Sequence, residues 1–200
     1  MITVGLTGGI CCGKSTVSNT FRKHNLPVVD ADIVARQVVE VDKPGWWMIK
    51  REFGEDHFNE DQTLNRTKLG NLVFCNQEAM NKLNEIMSSL ISEESNRQIN
   101  ELHSQGHRIV IYDAALIVEM GNAYKYKPLV LVSCPREIQI ERLMKRNNLS
   151  LEQANNRINA QMSGEAKAKF ADYIIDTSTT IEESVRQTEE IINKLKSQEK

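Results

Sequence analysis

Residues Gly8-Gly9-Ile10-Cys11-Cys12-Gly13-Lys14-Ser15 carry the pattern G-x-x-x-x-G-K-[ST] at every fixed position and follow the apolar run Ile2-Thr3-Val4-Gly5-Leu6. A strand ending in a glycine-rich turn aims several backbone N–H groups at one point, and the helix behind it adds the positive end of its dipole. Such a cradle binds the phosphates of a nucleotide, so Gly8, Gly9, Ile10, Cys11, Cys12, Gly13, Lys14, Ser15 and Thr16 form the candidate nucleotide loop. Lys14 would reach the β- and γ-phosphates as a point charge, and the Ser15 hydroxyl would help hold Mg²⁺. The alternative is an ordinary tight turn, which leaves the agreement of residues, spacing and flanking strand unexplained.

Working outward, Val17 and Phe21 sit at helical spacing within residues 14–24, and the Asn25-Leu26-Pro27 break ends that helix. A second strand at 27–29 runs into Asp30-Ala31-Asp32. Residues 33–102 read as helices with polar breaks at 42–45, 54–56 and 61–65, without a strand of the parallel-sheet type. A third strand at 109–112 leads directly into Asp113, and a fourth at 129–132 is ended by Cys134-Pro135. Helices are expected at 136–146, 151–169 and 181–196, with a fifth short strand at 173–175 and frayed residues at 197–200. Strands separated by helical stretches predict an α/β fold whose parallel sheet is covered on both faces, with ligands at the carboxyl ends of the strands. Asp30, Asp32 and Asp113 all fall at such ends. The insert at 33–104 is too long for a simple connection and is expected to hold substrate, within one main domain spanning 1–200.

Composition narrows the class. At 40% hydrophobic and 26% charged residues the chain of 200 suits a soluble globular protein rather than a disordered one. A net charge of −2 supplies no global basic field to recruit nucleic acid, which favours a small phosphorylated substrate. The apolar runs are too short for a bilayer span and no basic segment leads into a signal-peptide core, so a cytoplasmic protein without membrane partners is expected. Cysteines at 11, 12, 75 and 134 lack C-x-x-C spacing and are read as free thiols. His103 and His107 lie where a helix ends at Gly106, a poor place for a metal pair.

Phosphoryl transfer needs an in-line acceptor, charge neutralisation and a carboxylate near the acceptor hydroxyl. Asp32 is placed to take or orient the acceptor proton; Asp30 shares the turn, and either could instead cap the next helix. Asp113 has the position of a Walker-B carboxylate serving Mg²⁺, with a plain turn former as the alternative. Glu119 follows an apolar stretch and could line the acceptor pocket or be a solvated helix end. Arg142 and Arg146, four apart on one helix face, could close over polyphosphate or form a solvated face pairing with Glu141 or Glu137. Cys11 and Cys12, at a helix N-terminus beside Lys14, are expected to have lowered pKa values, so that oxidation could block ATP binding; simple tolerance of small side chains is the alternative.

These stretches together resemble the dephospho-coenzyme A kinase family. The resemblance runs through Thr7-Gly8-Gly9-Ile10 with Gly13-Lys14-Ser15-Thr16, Asp30-Ala31-Asp32 with Ala35-Arg36, Leu64-Asn65-Arg66, Leu116-Ile117-Val118-Glu119, Arg142 with Arg146, Arg157 to Gln161, and Ala171-Asp172-Tyr173. It covers nearly the whole chain in order. It implies a P-loop, nucleoside-monophosphate-kinase-like three-layer α/β fold with a five-stranded parallel sheet, a helical coenzyme A insert at about 33–104 and a lid at about 136–169. The implied reaction is ATP- and Mg²⁺-dependent phosphorylation of the ribose 3′-hydroxyl of dephospho-coenzyme A, the last step of coenzyme A synthesis, by a chain expected to be monomeric. Under it Asp32 is catalytic with Lys14, Arg142 and Arg146; Asp32, Arg36, Arg66 and Glu119 bind substrate; Ser15 and Asp113 serve the metal. The chain departs from the family pattern at Cys11-Cys12 (usually Gly-Ser), Ser88-Ser89 (His-Pro), Ala115 (Pro) and Thr177 (an Asn near the adenine), so the adenine contact is expected on backbone groups around 176–179. Two rivals are a kinase for another small acceptor and a GTP-dependent switch. The nearest guanine-type string, Asn81-Lys82-Leu83-Asn84, ends in Asn within a predicted helix, and Asp42-Lys43-Pro44-Gly45 lies in the insert.

Overall fold

Alternation decides the central strand. In β1 (Ile2–Gly8), Val4 and Leu6 point to one face, and the same phase recurs as Ile109 and Ile111 in β3 (Ile109–Asp113) and Val130 and Val132 in β4 (Leu129–Ser133). This face packs against Val17 and Phe21 of α1 (Lys14–Lys23) and Ile191, Ile192 and Leu195 of α9 (Ile181–Ser197). The computed structural model describes residues 1–197; of the expected frayed segment, residues 198–200 lie outside the described residues, and Ser197 closes α9.

Among the described residues the sheet has five strands in the order β2-β3-β1-β4-β5, with β2 at Val28–Asp30 and β5 at Tyr173–Asp176. β1 runs parallel to both β3 and β4, in register Leu6↔Asp113 and Leu6↔Val130, and β4 runs parallel to β5. The neighbours of β1 are reached by chain segments leaving in opposite directions, so its carboxyl end is a topological switch point, the place where α/β sheets bind ligands. Gly5 is dictated by close approach, since a Cβ there would lie 2.6 Å from Leu129 Cδ1 and 2.9 Å from the Tyr126 carbonyl.

Two compact units result, one comprising Met1–Val29 with Leu102–Lys200 and the other Asp30–Glu101. The second holds α2 (Ala31–Gln37), α3 (Pro44–Phe53), a short 3₁₀ turn (Glu55–His57), α4 (Arg66–Cys75) and most of α5 (Gln77–Ser104). Its core gathers Trp46, Ile49, Leu69, Val73 and Ile86, with Phe58 edge-on to Trp46 and the Trp46 indole N–H donating to the Gln62 carbonyl at 2.6 Å. The expected breaks at 42–45 and 54–56 are only partly irregular, since Pro44 and Gly45 already open α3 and Glu55 and Asp56 belong to the 3₁₀ turn; the break at 61–65 precedes α4, and a further break at Asn76 divides α4 from α5.

The first unit also contains α6 (Arg136–Asn147), α7 (Leu151–Asn159) and α8 (Gly164–Ala168). The continuous helix expected over 151–169 is two helices. Ser163 starts α8 by accepting from the Ala166 N–H, as Ser150 and Gln153 start α7 with a reciprocal capping box. His103 is used structurally, its Nδ1 bonding the His107 carbonyl at 2.8 Å and its Nε2 the Thr3 hydroxyl at 3.2 Å.

Candidate active site

The phosphate loop follows β1 and turns into α1 through two left-handed residues, Cys11 at φ 59° and Gly13 at φ 78°. Gly13 occupies the N-cap position of α1 and no side chain caps that helix; the Thr16 N–H bonds the Gly13 carbonyl at 3.0 Å, which leaves those of Lys14 and Ser15 as the uncapped donors of the first turn. Lys14 forms an ion pair with Asp113, whose other carboxylate oxygen accepts from the Ser18 hydroxyl. Asp113 is only 2% exposed. It is the last residue of β3 and lies in register with Leu6, so neighbouring strands bring lysine and carboxylate together. The plain-turn reading of Asp113 is thereby replaced by a buried, paired charge, and Ser18 is a partner that no motif announces. Ser15 stands one residue after Lys14 with an exposed side chain.

Long-range contacts hold the loop from behind. The Ile10 N–H donates to Gln161 Oε1 at 2.8 Å, and Gln139 Nε2 donates to the Ile10 carbonyl at 2.9 Å. The Thr177 hydroxyl donates to the Cys12 carbonyl at 2.7 Å, and Arg142 Nη2 donates to the Thr177 carbonyl at 2.6 Å. Thr177 is thus tied to the loop itself. Ile10 and Cys11 pack against Leu143, Ala154 and Ile158 of α6 and α7. Arg142 is half-buried, whereas Arg146 is exposed and donates to Asn147 Oδ1 at 2.9 Å; neither pairs with Glu137 or Glu141. Both guanidinium groups are close enough to Cys11 to favour its thiolate.

The two loop thiols differ. Burial raises the Cys11 pKa and outweighs those arginines, contrary to the lowering expected at a helix N-terminus. Cys12 is lowered to about 7, first through the hydrogen bond from the Cys134 thiol, not through Lys14. Cys134 is pushed well above the usual thiol range by the same bond.

Glu119 is neither a freely solvated helix end nor alone. Its Oε1 pairs with Lys167 Nζ at 2.8 Å and accepts from the Met162 N–H at 3.1 Å, while its Oε2 is buried without a partner in the structure. Lys167, 0% exposed, also donates to the Ala115 carbonyl at 2.7 Å, which takes the Thr7 hydroxyl at 2.9 Å as well. Lys167, Gln139 and Cys134 are not among the residues expected at the site. Buried lysine is rare enough to be informative, but its burial is invisible before folding.

In the second unit, Asp30 accepts from the Asp32 and Ile33 N–H groups at 2.9 and 3.3 Å and so caps α2. Asp32 projects from the first turn of α2, exposed, and no hydrogen bond or ion pair engages its carboxylate among the described residues. The two aspartates have separated into a capping residue and one left available for chemistry. Arg36 and Arg66 are brought near one another: partial desolvation and then the Arg36 charge hold the Arg66 guanidinium below its usual pKa. Two cations in mutual repulsion suit a polyanionic ligand. Asn81-Lys82-Leu83-Asn84 lies within α5, away from any loop that could read a guanine base.

Against known proteins, the family model described as Dephospho-CoA kinase matches residues 2–183. A dephospho-CoA kinase of Bacillus cereus is 43% identical over 193 residues, covering 96% of each chain. A crystal structure from Thermus thermophilus superposes with a TM-score of 0.81 at 28% identity over 97% of each chain. A dephospho-CoA kinase from Campylobacter jejuni shares the fold, with a TM-score of 0.76 at 24% identity over 99% of this chain and 98% of that one. Agreement over this length, on a parallel five-stranded sheet with a phosphate loop at its switch point, has one reading: the chain belongs to the dephospho-CoA kinase family of ATP-using P-loop kinases.

Proposed function

We propose that this chain transfers the γ-phosphoryl group of ATP to the ribose 3′-hydroxyl of dephospho-coenzyme A, acting as a monomer, with the residue roles that follow. The observation that carries the reading is the junction of Lys14 and Ser18 on the buried Asp113 at the mouth of the phosphate loop. The loop at Gly8–Thr16 cradles the phosphates through those of its N–H groups not already engaged by Gln161, Gly9 and Gly13, and Lys14 swings from Asp113 onto the β- and γ-phosphates. That movement leaves the Asp113 carboxylate in a dry setting with the Ser18 hydroxyl still donating to it. Its hard oxygens and the Ser15 hydroxyl are of the donor type that suits Mg²⁺, which usually takes one or two protein ligands beside substrate phosphates and water. When bound, the metal supplies charge neutralisation on the phosphates.

Asp32 orients the acceptor hydroxyl and receives its proton, a role supported by a carboxylate free of other bonds. Arg142 and Arg146 stabilise charge on the transferring group. Arg142 uses Nη2 on the Thr177 carbonyl and retains donors for phosphate oxygens. Arg36 and Arg66 take the acceptor's phosphate groups, and Glu119 helps shape the acceptor pocket. The insert at 33–104 holds the acceptor and residues 136–169 form the lid. No described helix is long and apolar enough to cross a membrane, and four free thiols fit a cytoplasmic setting.

The test is phosphate transfer from Mg²⁺-ATP to dephospho-coenzyme A, with AMP, CMP, shikimate and no acceptor alongside. Selective formation of coenzyme A supports the assignment. Transfer to another acceptor, or tight nucleotide binding without transfer, overturns it.

A further inference from the structure

Two sulfurs meet behind the phosphate loop. Cys12 Sγ lies 3.7 Å from Cys134 Sγ, although 122 residues separate them in the chain, because β1 and β4 are adjacent and each continues into the segment that carries its thiol. Gln139 Nε2 stands 3.1 Å from the Cys12 sulfur as a further donor. Both cysteines line a cleft of about 720 Å³ that also includes Gly9, Gln139 and Asp176, so a small solute reaches the pair although Cys12 itself is 3% exposed. Both thiols are free.

We propose that Cys12 and Cys134 form an oxidation site, closed to an intramolecular disulfide by hydrogen peroxide, and that the cross-link disables the phosphate loop. In the first step the Cys12 thiolate attacks one peroxide oxygen, the O–O bond breaks, and Cys12 sulfenic acid and hydroxide form. In the second, Cys134 sulfur attacks the Cys12 sulfur, the S–O bond breaks, and the Cys134 proton leaves with the hydroxyl as water. The hydroxide of the first step takes the proton that Cys12 gave up, so two thiols and one peroxide yield one disulfide and two waters. Two electrons pass from the sulfurs to the peroxide. Cys12 is the better first nucleophile, since the bond from the Cys134 thiol lowers its pKa to about 7.

Closing the bond has a mechanical consequence. An S–S bond is about 2.0 Å long, so the sulfurs must approach by roughly 1.7 Å. Cys12 lies inside the loop, its N–H bonded to the Gly9 carbonyl at 3.2 Å and its carbonyl to the Thr177 hydroxyl at 2.7 Å. Pulling this residue toward the end of β4 disturbs the N–H cradle, and a misplacement of about 1 Å in a positioning element can cost on the order of 100-fold in rate.

The experiment treats the purified full-length protein with a small molar excess of hydrogen peroxide, traps remaining thiols with iodoacetamide, and maps disulfides by mass spectrometry of a non-reduced digest. ATP binding and phosphate transfer are measured before oxidation, after it, and after dithiothreitol. We expect a peptide pair joining Cys12 to Cys134, at least a tenfold loss of ATP binding or turnover, and recovery on reduction. The variant Cys134→Ser is expected to lose the cross-link and, measured against its own untreated activity, the reversible inactivation. A different pairing, no cross-link, or a complete Cys12–Cys134 cross-link with unchanged ATP binding and turnover overturns the proposal. Mapping on the unmodified sequence needs no variant to fold, and ATP binding is read apart from acceptor choice, so failure here is distinguishable from failure of the assigned reaction.

Discussion

Replacing Lys167 by Met tests how the segment carrying Ala115 and Glu119 is held. The change keeps an unbranched stem that ends near Cε and removes an ammonium that is 0% exposed, 2.8 Å from Glu119 Oε1 and 2.7 Å from the Ala115 carbonyl. Ala115 retains the Thr7 hydroxyl, so the damage falls on Glu119, left with the Met162 N–H on Oε1 and a partnerless Oε2. Removing one member of a fully buried ion pair costs about 3–5 kcal/mol. The Glu119 side chain is 20% exposed, so some water reaches it, and the lower end, about 3 kcal/mol, is expected. For a chain of this size that corresponds to a fall in Tm of roughly 6–12 °C. The assay is urea and thermal unfolding followed by circular dichroism, with a cycle that adds Glu119→Gln, whose amide oxygen still serves Met162. The double variant should recover a substantial part of the loss, because the uncompensated charge is gone. A loss below about 1 kcal/mol in Lys167→Met, or a double variant no more stable than the single one, would refute the reasoning.

Other perturbations separate the remaining roles. Asp32→Asn should lower turnover by about 100-fold or more with ATP binding largely intact, as titration calorimetry beside steady-state rates would show; near-normal turnover would move the acid-base role elsewhere. Lys14→Ala should reduce turnover by a comparable factor, roughly 100-fold, and weaken ATP binding as well. Thr177→Val removes the donor to the Cys12 carbonyl at 2.7 Å and should weaken ATP binding by about five- to tenfold, the equivalent of roughly 1 kcal/mol for one hydrogen bond. Alkylation of Cys12 should accelerate as the pH rises through about 7, because the thiolate is the reactive form, and Cys134→Ala should move that midpoint upward by removing the donor. A pH profile unchanged in the variant would show that the neighbouring thiol has no part in it.

The structure also explains why nearby residues with similar chemistry part ways. Asp30 and Asp32 are the same residue type two apart, and the sequence leaves either free to cap or to act. The turn from β2 into α2 breaks the strand parity and commits Asp30 to two N–H groups, which leaves Asp32 unengaged. Cys11 and Cys12 are adjacent and read as equivalent thiols beside Lys14. One packs against α6 and α7 and is raised, and the other meets Cys134 and is lowered.

What the amino-acid order determines by itself is local. The phosphate loop, the strand before it, the alternation that marks β3 and β4, and the polar breaks among the insert helices follow from backbone preferences and periodicity within a few residues. The helix expected over 151–169 shows where this fails, since the Ser163 cap competes with a pattern that otherwise reads as continuous. Contacts across the fold belong to tertiary structure alone: Ser18 on Asp113, Gln161 on Ile10, Lys167 on Glu119 and Cys134 on Cys12. The first, second and fourth of these pairs are 95, 151 and 122 residues apart, and no periodic pattern encodes such separations. They exist because the strand order places β3 and β4 on either side of β1, and packing then closes the helices that follow β4 over the loop.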